Sequence, residues 1–404
     1  MAPLQTQSRL LALPLELREQ IYAHIYHPSA NRTTDILDYT TYNFQFSFLR
    51  TSWQIYHEAR AVFRKLNTFV RIETPWHEAQ QYVEIEGHVP LVLSGDKAEL
   101  FTEHSLSAVI DAPRYQRPDD GTFASVIHID DLDKFCKTWY YSDLSQDACL
   151  NQVLRLTFEL RNPATNNKLD EDGQILTKAL QRRLLEPFGR IRGLSGCRFR
   201  SPHYWDLGAE LYRMQAIPYP TREECIENGT KLKDDGNAVL LKGNAREALR
   251  LYYKAFEAIH VVVTGRNRYV WADAFFEHEL VSGPNEGQYG QIVRLILRVR
   301  LVANIVQAYL KLQEWEEAKF WGMRTIRLTR EAYGIDPDTE DQDEPLVTFG
   351  AGNEMGKIYY RTALAYKSLD DRSTALRLMK VAARYLPGDE IVQRELASLA
   401  PRIL

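Results

Sequence analysis

Residues 222–404 constrain the fold most strongly, because they carry an internal repeat. Three segments share one template: Lys233–Ala258 (KDDGNAVLLKGNAREALRLYYKAFEA), Leu301–Ile326 (LVANIVQAYLKLQEWEEAKFWGMRTI) and Gly356–Pro387 (GKIYYRTALAYKSLDDRSTALRLMKVAARYLP). They align on Ala248, Ala318 and Ala375. Twelve residues earlier stand Gly236, Val306 and Ala363; nine earlier stand the bulkier Val239, Tyr309 and Tyr366; seven later stand Ala255, Thr325 and Ala382. Two antiparallel helices approach closely where their facing side chains are small, and larger ones fill the space beside the contact. Each segment therefore predicts a helix pair. Three in succession predict a stack in which each pair buries its apolar face against its neighbours. The anchors lie 70 and 57 residues apart. Both spacings exceed the ~34 residues of a common helix-pair repeat, which predicts insertions or lengthened helices near 262–288 and 328–350. A capping helix is expected at the C-terminal end.

This pattern resembles the tetratricopeptide repeat, over about residues 222–404. The resemblance implies an all-α superhelix whose first helices line a groove. In the subclass found in heat-shock co-chaperones, five residues on the first helices of three repeats hold a peptide's C-terminus in a carboxylate clamp. The family spacing K-x-x-x-N is matched by Lys233 and Asn237, the second-repeat asparagine by Asn304, and K-x-x-x-R by Lys357 and Arg361. Residues at i and i+4 lie on one helix face, so each pair presents both heads to one side. A chain ending in Asp offers two carboxylates, and these suit Lys and Arg as ion partners and Asn as an amide donor. The resemblance implies a co-chaperone-like adaptor. Its partner would be the tail of seventy- or ninety-kilodalton heat-shock chaperones, which end Glu-Glu-Val-Asp. Taken singly, each residue has a plainer use: lysines on helix faces are solvated, and an asparagine can brace neighbouring helices. The second insertion contains Asp336–Glu344 (DPDTEDQDE), with six acids. It reads as a solvated loop, or as a built-in competitor for the clamp.

Residues 1–75 have a different texture. In LLALPLELREQIYAHIY, Leu17, Ile21 and Ile25 recur at i, i+4 and i+8 with Pro14 near the start, which predicts an amphipathic helix. Phe48–Phe63 predicts a second. Together they resemble the F-box-like segment that opens many fungal proteins, over about residues 8–70. Leu13, Pro14, Glu16, Leu17 and Ile21 match its start, and Leu49, Arg50, Trp53 and Ile55 its later helix. The connecting loop, residues 27–43, is long and lacks the usual Asp-Leu motif. The resemblance implies docking to a cullin-type ubiquitin ligase through its small adaptor subunit, with Leu13, Pro14, Leu17 and Ile21 in contact. The chain would then be a substrate receptor whose repeats bind the substrate. The other reading is a helical cap with Leu17, Ile21 and Trp53 as core.

Residues 76–215 mix periods. Val89–Ser94, Ser107–Asp111 and Val153–Leu160 read as strands, Ile129–Tyr141 and Gln174–Arg192 as helices, and the whole as a small α+β domain. Pro218 and Pro220 mark the linker to the repeats. The chain as a whole thus reads as multidomain: an α+β N-terminal region with an F-box-like start, then an all-α tetratricopeptide superhelix.

Composition narrows the function. Among 404 residues, 50 Lys+Arg against 54 Asp+Glu give a net charge of −4, with no bulk pull toward nucleic acid or anionic membrane. The longest apolar stretch, Ile292–Leu312, is interrupted by Arg294, Arg298 and Arg300, and the N-terminus lacks a signal-peptide pattern. Cytoplasm or nucleus is the expected compartment. Four cysteines without CxxC pairs predict neither a disulfide framework nor a zinc site. Phosphate-loop, nucleophile-elbow and zinc-helix motifs are missing from the sequence. His128, Asp130, Asp131 and Asp133 sit where a strand gives way to a helix, and Asp130 or Asp131 reads as its N-cap. Cys136 and Cys197 read as small buried residues. The expectation is a protein–protein adaptor without enzymatic activity, metal or cofactor.

Overall fold

The computed structural model describes residues 8–35, 39–115, 122–336, 346 and 349–399. The chain divides into two compact units, Met1–Tyr219 and Pro220–Leu404. The first is a mixed α/β region, the second predominantly helical.

In the first unit the helices are α1 (Leu15–Tyr26), α2 (Trp53–Leu66), α3 (Asp96–Glu99), α4 (Leu132–Leu144), α5 (Lys178–Leu185) and α6 (Trp205–Gln215). The strands are β1 (Arg32–Thr34), β2 (Thr40–Tyr42), β3 (Phe69–Thr74), β4 (Leu91–Ser94), β5 (Leu106–Asp111), β6 (Phe123–His128), β7 (Arg155–Leu160) and β8 (Gly196–Phe199). They form one eight-stranded sheet in the order β1-β2-β4-β6-β3-β5-β7-β8. β3 runs antiparallel to β6 and parallel to β5, and β5 runs antiparallel to β7. β1, β2 and β3 share this sheet with β4–β8, so segments 1–75 and 76–215 meet in one hydrogen-bonded layer. β4, β5 and β7 fall on the short apolar runs that predict them. The central β3 is not among the expected strands, although Val70–Glu73 alternate apolar and charged residues, and β6 does not announce itself in the sequence. Every residue of β6 is buried, and a strand covered on both faces loses the alternation that marks a half-buried one. The helix expected over Gln174–Arg192 is shorter: α5 ends at Leu185 and a 3-10 turn containing Pro187 follows.

α1 corrects the expected orientation. Its buried line is Arg18, Tyr22 and Tyr26, one position on from Leu17, Ile21 and Ile25. Leu17 is 44% exposed, Ile21 36% and Trp53 79%, so the reading of these three as core is overturned. The reason is a polar anchor. Arg18 grips Glu58 of α2 with two donors, Nε at 2.8 Å and Nη2 at 2.6 Å, and Tyr22 Oη donates to the same carboxylate at 2.9 Å. Arg18 also donates to the Leu13 carbonyl.

The second unit contains three helix pairs. They are α7 (Arg222–Leu241) with α8 (Ala245–Ala258), α10 (Gly290–Leu312) with α11 (Trp315–Ala332), and α12 (Gly352–Ser368) with α13 (Arg372–Tyr385). α14 (Glu390–Leu399) packs on α13. Caps fix the starts: Thr221 and Glu224 form a capping box on α7, Asn244 caps α8 and Asp371 caps α13. Ala248, Ala318 and Ala375 are all fully buried. A β-carbon on Gly236 would meet the Tyr252 ring at 2.5 Å, which is why that position of the first pair is a glycine. The first insertion is not helical throughout. It forms a hairpin of β9 (Val261–Thr264) and β10 (Asn267–Val270), then the short α9 (Asp273–Phe276). α10 begins at Gly290 and is lengthened ahead of the repeat. In the second insertion, residues 337–344 of the acidic run lie outside the described residues.

Candidate functional site

α10 packs against both α7 and α12, so the first helices of the three pairs lie side by side. A capping box fixes where α7 begins, and close packing of the small positions fixes the rotation of the helices. Together these bring three of the five expected residues into a connected polar seam. Asn304 Nδ2 on α10 donates to Asn237 Oδ1 on α7 at 2.7 Å. Tyr252 Oη on α8 donates to the same oxygen at 2.9 Å. Arg361 on α12 donates from Nη1 to the carbonyl of Ala303 on α10. The seam therefore crosses all three pairs.

Its electrostatics are unbalanced. No carboxylate among the described residues lies within ion-pair distance of Arg361, and burial pulls its pKa down to about 10, so it stays charged at neutral pH. The Tyr252 hydroxyl is pushed up to about 12 by burial and is a neutral donor. Asn237 Oδ1 is saturated by two donors, which leaves the Nδ2 protons of Asn237 and the Oδ1 of Asn304 for other partners. Lys357 is exposed and has no ion partner among the described residues. Lys233 is mostly covered and reaches Asp234, its chain neighbour, at 3.0 Å. Lys233 and Lys357 share helix faces with Asn237 and Arg361, but no hydrogen bond joins either lysine to the seam. Sequence reasoning missed Tyr252. It lies four residues after the aligned Ala248, on the same face of α8, and that spacing was the available signal.

No protein-family model and no curated protein matches this chain.

The other candidates resolve differently. Asp131 does not cap a helix with its side chain: its carboxylate receives Arg32 Nη2 at 3.0 Å and Tyr42 Oη at 2.5 Å. His128 Nδ1 instead accepts from the Asp130 backbone N–H at 3.3 Å. Cys136 is buried and its thiol pKa is raised by burial, whereas Cys197 is only half-buried. Among the described residues no group of three His, Cys, Asp or Glu is placed to hold a metal ion. No helix among them is long and apolar enough to cross a membrane.

The N-terminal expectation has a geometric counterpart. Leu13 is half-buried and Pro14 is exposed; on α1, Leu17 and Ile21 are exposed neighbours one turn apart, beside the polar outer line of Glu16 and Gln20.

Proposed function

We propose that the second unit is a tetratricopeptide-type domain whose polar seam captures the free C-terminal carboxylate of an acidic tail, of the kind that ends heat-shock chaperones. The observation that carries this reading is Arg361, which among the described residues has no acid and is tied only to a backbone carbonyl. Beside it stands an asparagine pair with donors to spare. A half-buried guanidinium without an acid costs free energy that an incoming carboxylate recovers. A guanidinium fork and an amide are the groups that bind a carboxylate with directional hydrogen bonds. Lys357 and Lys233 would meet the second carboxylate of a terminal Asp. In this reading the protein is an adaptor: it raises the effective concentration of a chaperone near whatever the first unit holds. The test is fluorescence anisotropy of a labelled peptide ending Glu-Glu-Val-Asp against the full chain. Arg361→Ala should weaken binding by about 2–5 kcal/mol, at least ~30-fold. Asn304→Ala should weaken it less. Equal affinities for all three proteins would refute the clamp.

A second reading rests on the exposed Leu17 and Ile21, one turn apart on α1. Exposed apolar residues that continue one another along a helix mark a partner site. We infer that this face suits the small adaptor subunit of a cullin-type ligase, as an F-box-like segment would. The full chain should then retain that subunit in a pull-down, and Leu17→Asp should abolish retention without unfolding the chain. Retention unchanged in Leu17→Asp would exclude this surface.

A further inference from the structure

α10 carries arginines on a second side. Arg298 lies six residues before Asn304, about 240° round the helix at 3.6 residues per turn, and one turn after Arg294. Arg294 is 2% exposed, and its donors are occupied. Nε reaches the Ile259 carbonyl at 2.9 Å and Nη1 reaches Asp273 Oδ1 at 2.8 Å. Nη2 reaches the carbonyls of His260 and Trp271. Arg298 has none of this. Its Nε is buried away from water without a hydrogen-bond partner, and no acid among the described residues pairs with it. The nearest carboxylate that it senses, Asp273, is already the partner of Arg294.

Two more arginines close on the same place. Arg268 of β10 lies opposite Val263, in register with Val270 opposite Val261. Paired residues, and residues two apart, share a face of a hairpin. Arg268 is therefore on the side whose valines pack into the core. Arg324 of α11 donates to the Arg266 carbonyl at 2.6 Å and to the Arg268 carbonyl at 3.5 Å, which anchors its head at the start of β10. Burial and the charges of Arg298 and Arg324 together pull Arg268 down to about 9. None of the three has an ion partner among the described residues. Arg266 at the hairpin tip does, with Glu317 at 2.6 Å. Arg324 also lines an open cleft of about 470 Å³ with Arg266, Phe320 and Arg327, so the Arg324 side of the cluster faces a space open to solvent. Glu316 and Glu331 line that cleft too, but neither pairs with Arg324.

A fold that gathers three guanidinium groups around a buried, unused donor needs an anion to balance them. We propose that Arg268, Arg298 and Arg324 bind a phosphate group between the β9–β10 hairpin and the α10–α11 pair, at a site separate from the polar seam. Guanidinium forks match the oxygens of phosphate, and its dianion offsets more of the cluster's charge than one carboxylate does.

The test is thermal unfolding of the full chain at constant ionic strength, with chloride replaced by inorganic phosphate or by O-phosphoserine. At about ten times the dissociation constant, bound phosphate should raise Tm by about 3–6 °C. A rise with both ligands identifies a site open to phosphate esters; a rise with inorganic phosphate alone identifies one closed around the free ion. Either supports the proposal. Arg298→Met should lose the rise while unfolding no lower than wild type in chloride, because it removes both the unpaired donor and the repulsion. Arg268→Gln provides the same loss should Arg298→Met fail to fold. Lys357→Ala should keep the rise. No rise in wild type, or a rise kept in Arg298→Met and Arg268→Gln but lost in Lys357→Ala, would overturn the assignment.

Discussion

Single residues decide where the polar groups of this chain go. Glu58 shows it most simply. Its hydrogen bonds from Arg18, with those from Gln54 and Tyr22 added, hold its carboxyl down to about 2, well below the ordinary value. A carboxyl held below its unfolded value contributes stability that is present above the unfolded pKa, about 4.3, and lost as pH falls through the folded one. Acid unfolding of the first unit, followed by near-ultraviolet circular dichroism, should therefore steepen between about pH 4.3 and pH 2. Glu58→Gln should lower stability at pH 7 and flatten that part of the curve. An equally steep curve in the variant would show that Glu58 is not the group responsible. The same pair explains why Leu17 and Ile21 point outward. The apolar period of α1 is legible in the sequence, but which of two neighbouring stripes faces inward is settled by Arg18, Tyr22 and their shared acid forty residues away. No local pattern records that.

At the scale of elements, the repeat was the most legible feature and the sheet the least. The alanine anchors mark helix pairs because small residues at fixed spacing have one structural use, the close approach of two helices. The approach between pairs is as tight. A β-carbon on Gly322 of α11 would lie 1.9 Å from Thr362 Oγ1 of α12, and that hydroxyl is itself bonded to the Ile358 carbonyl at 2.7 Å. Gly322→Ala should cost about 1–3 kcal/mol in chemical denaturation, and Thr362→Ala in the same chain should recover part of the loss. A double variant no more stable than the single one would mean the clash is relieved elsewhere. The central strand β6 escaped sequence reasoning for a physical reason: burial on both faces erases the period of two. β3 keeps that period, with Arg71 and Glu73 half-exposed between buried Val70, Ile72 and Thr74, and was overlooked by the same reasoning beside the end of α2. The β9–β10 hairpin escaped it because a lone pair of strands inside an insertion leaves only a short valine run, Val261–Val263, ambiguous between helix and strand.

In the molecule as a whole, a mixed α/β unit is followed in the chain by a stack of helix pairs, for whose polar seam we propose a carboxylate ligand. The register of Asn237, Asn304 and Arg361 could be read from spacing, because helices of known phase put known faces together. Of the partners that complete the seam, Tyr252 left a signal in its spacing from Ala248, whereas the Ala303 carbonyl left none, since it belongs to a contact between helices. The sequence likewise says nothing of which arginines in the chain find acids and which are left without. That difference separates Arg294 from Arg298 and gives Arg361 its role here. The central claim is that the seam recognises a chain's terminal carboxylate rather than acidity in general. Calorimetric titration of the full chain with two peptides tests it most directly. Both end Glu-Glu-Val-Asp; one has a free C-terminus and the other is amidated. Binding near micromolar is expected for the first, about −8 kcal/mol, and loss of binding for the second. Equal binding of both peptides, or no heat with either from a folded chain, would contradict it.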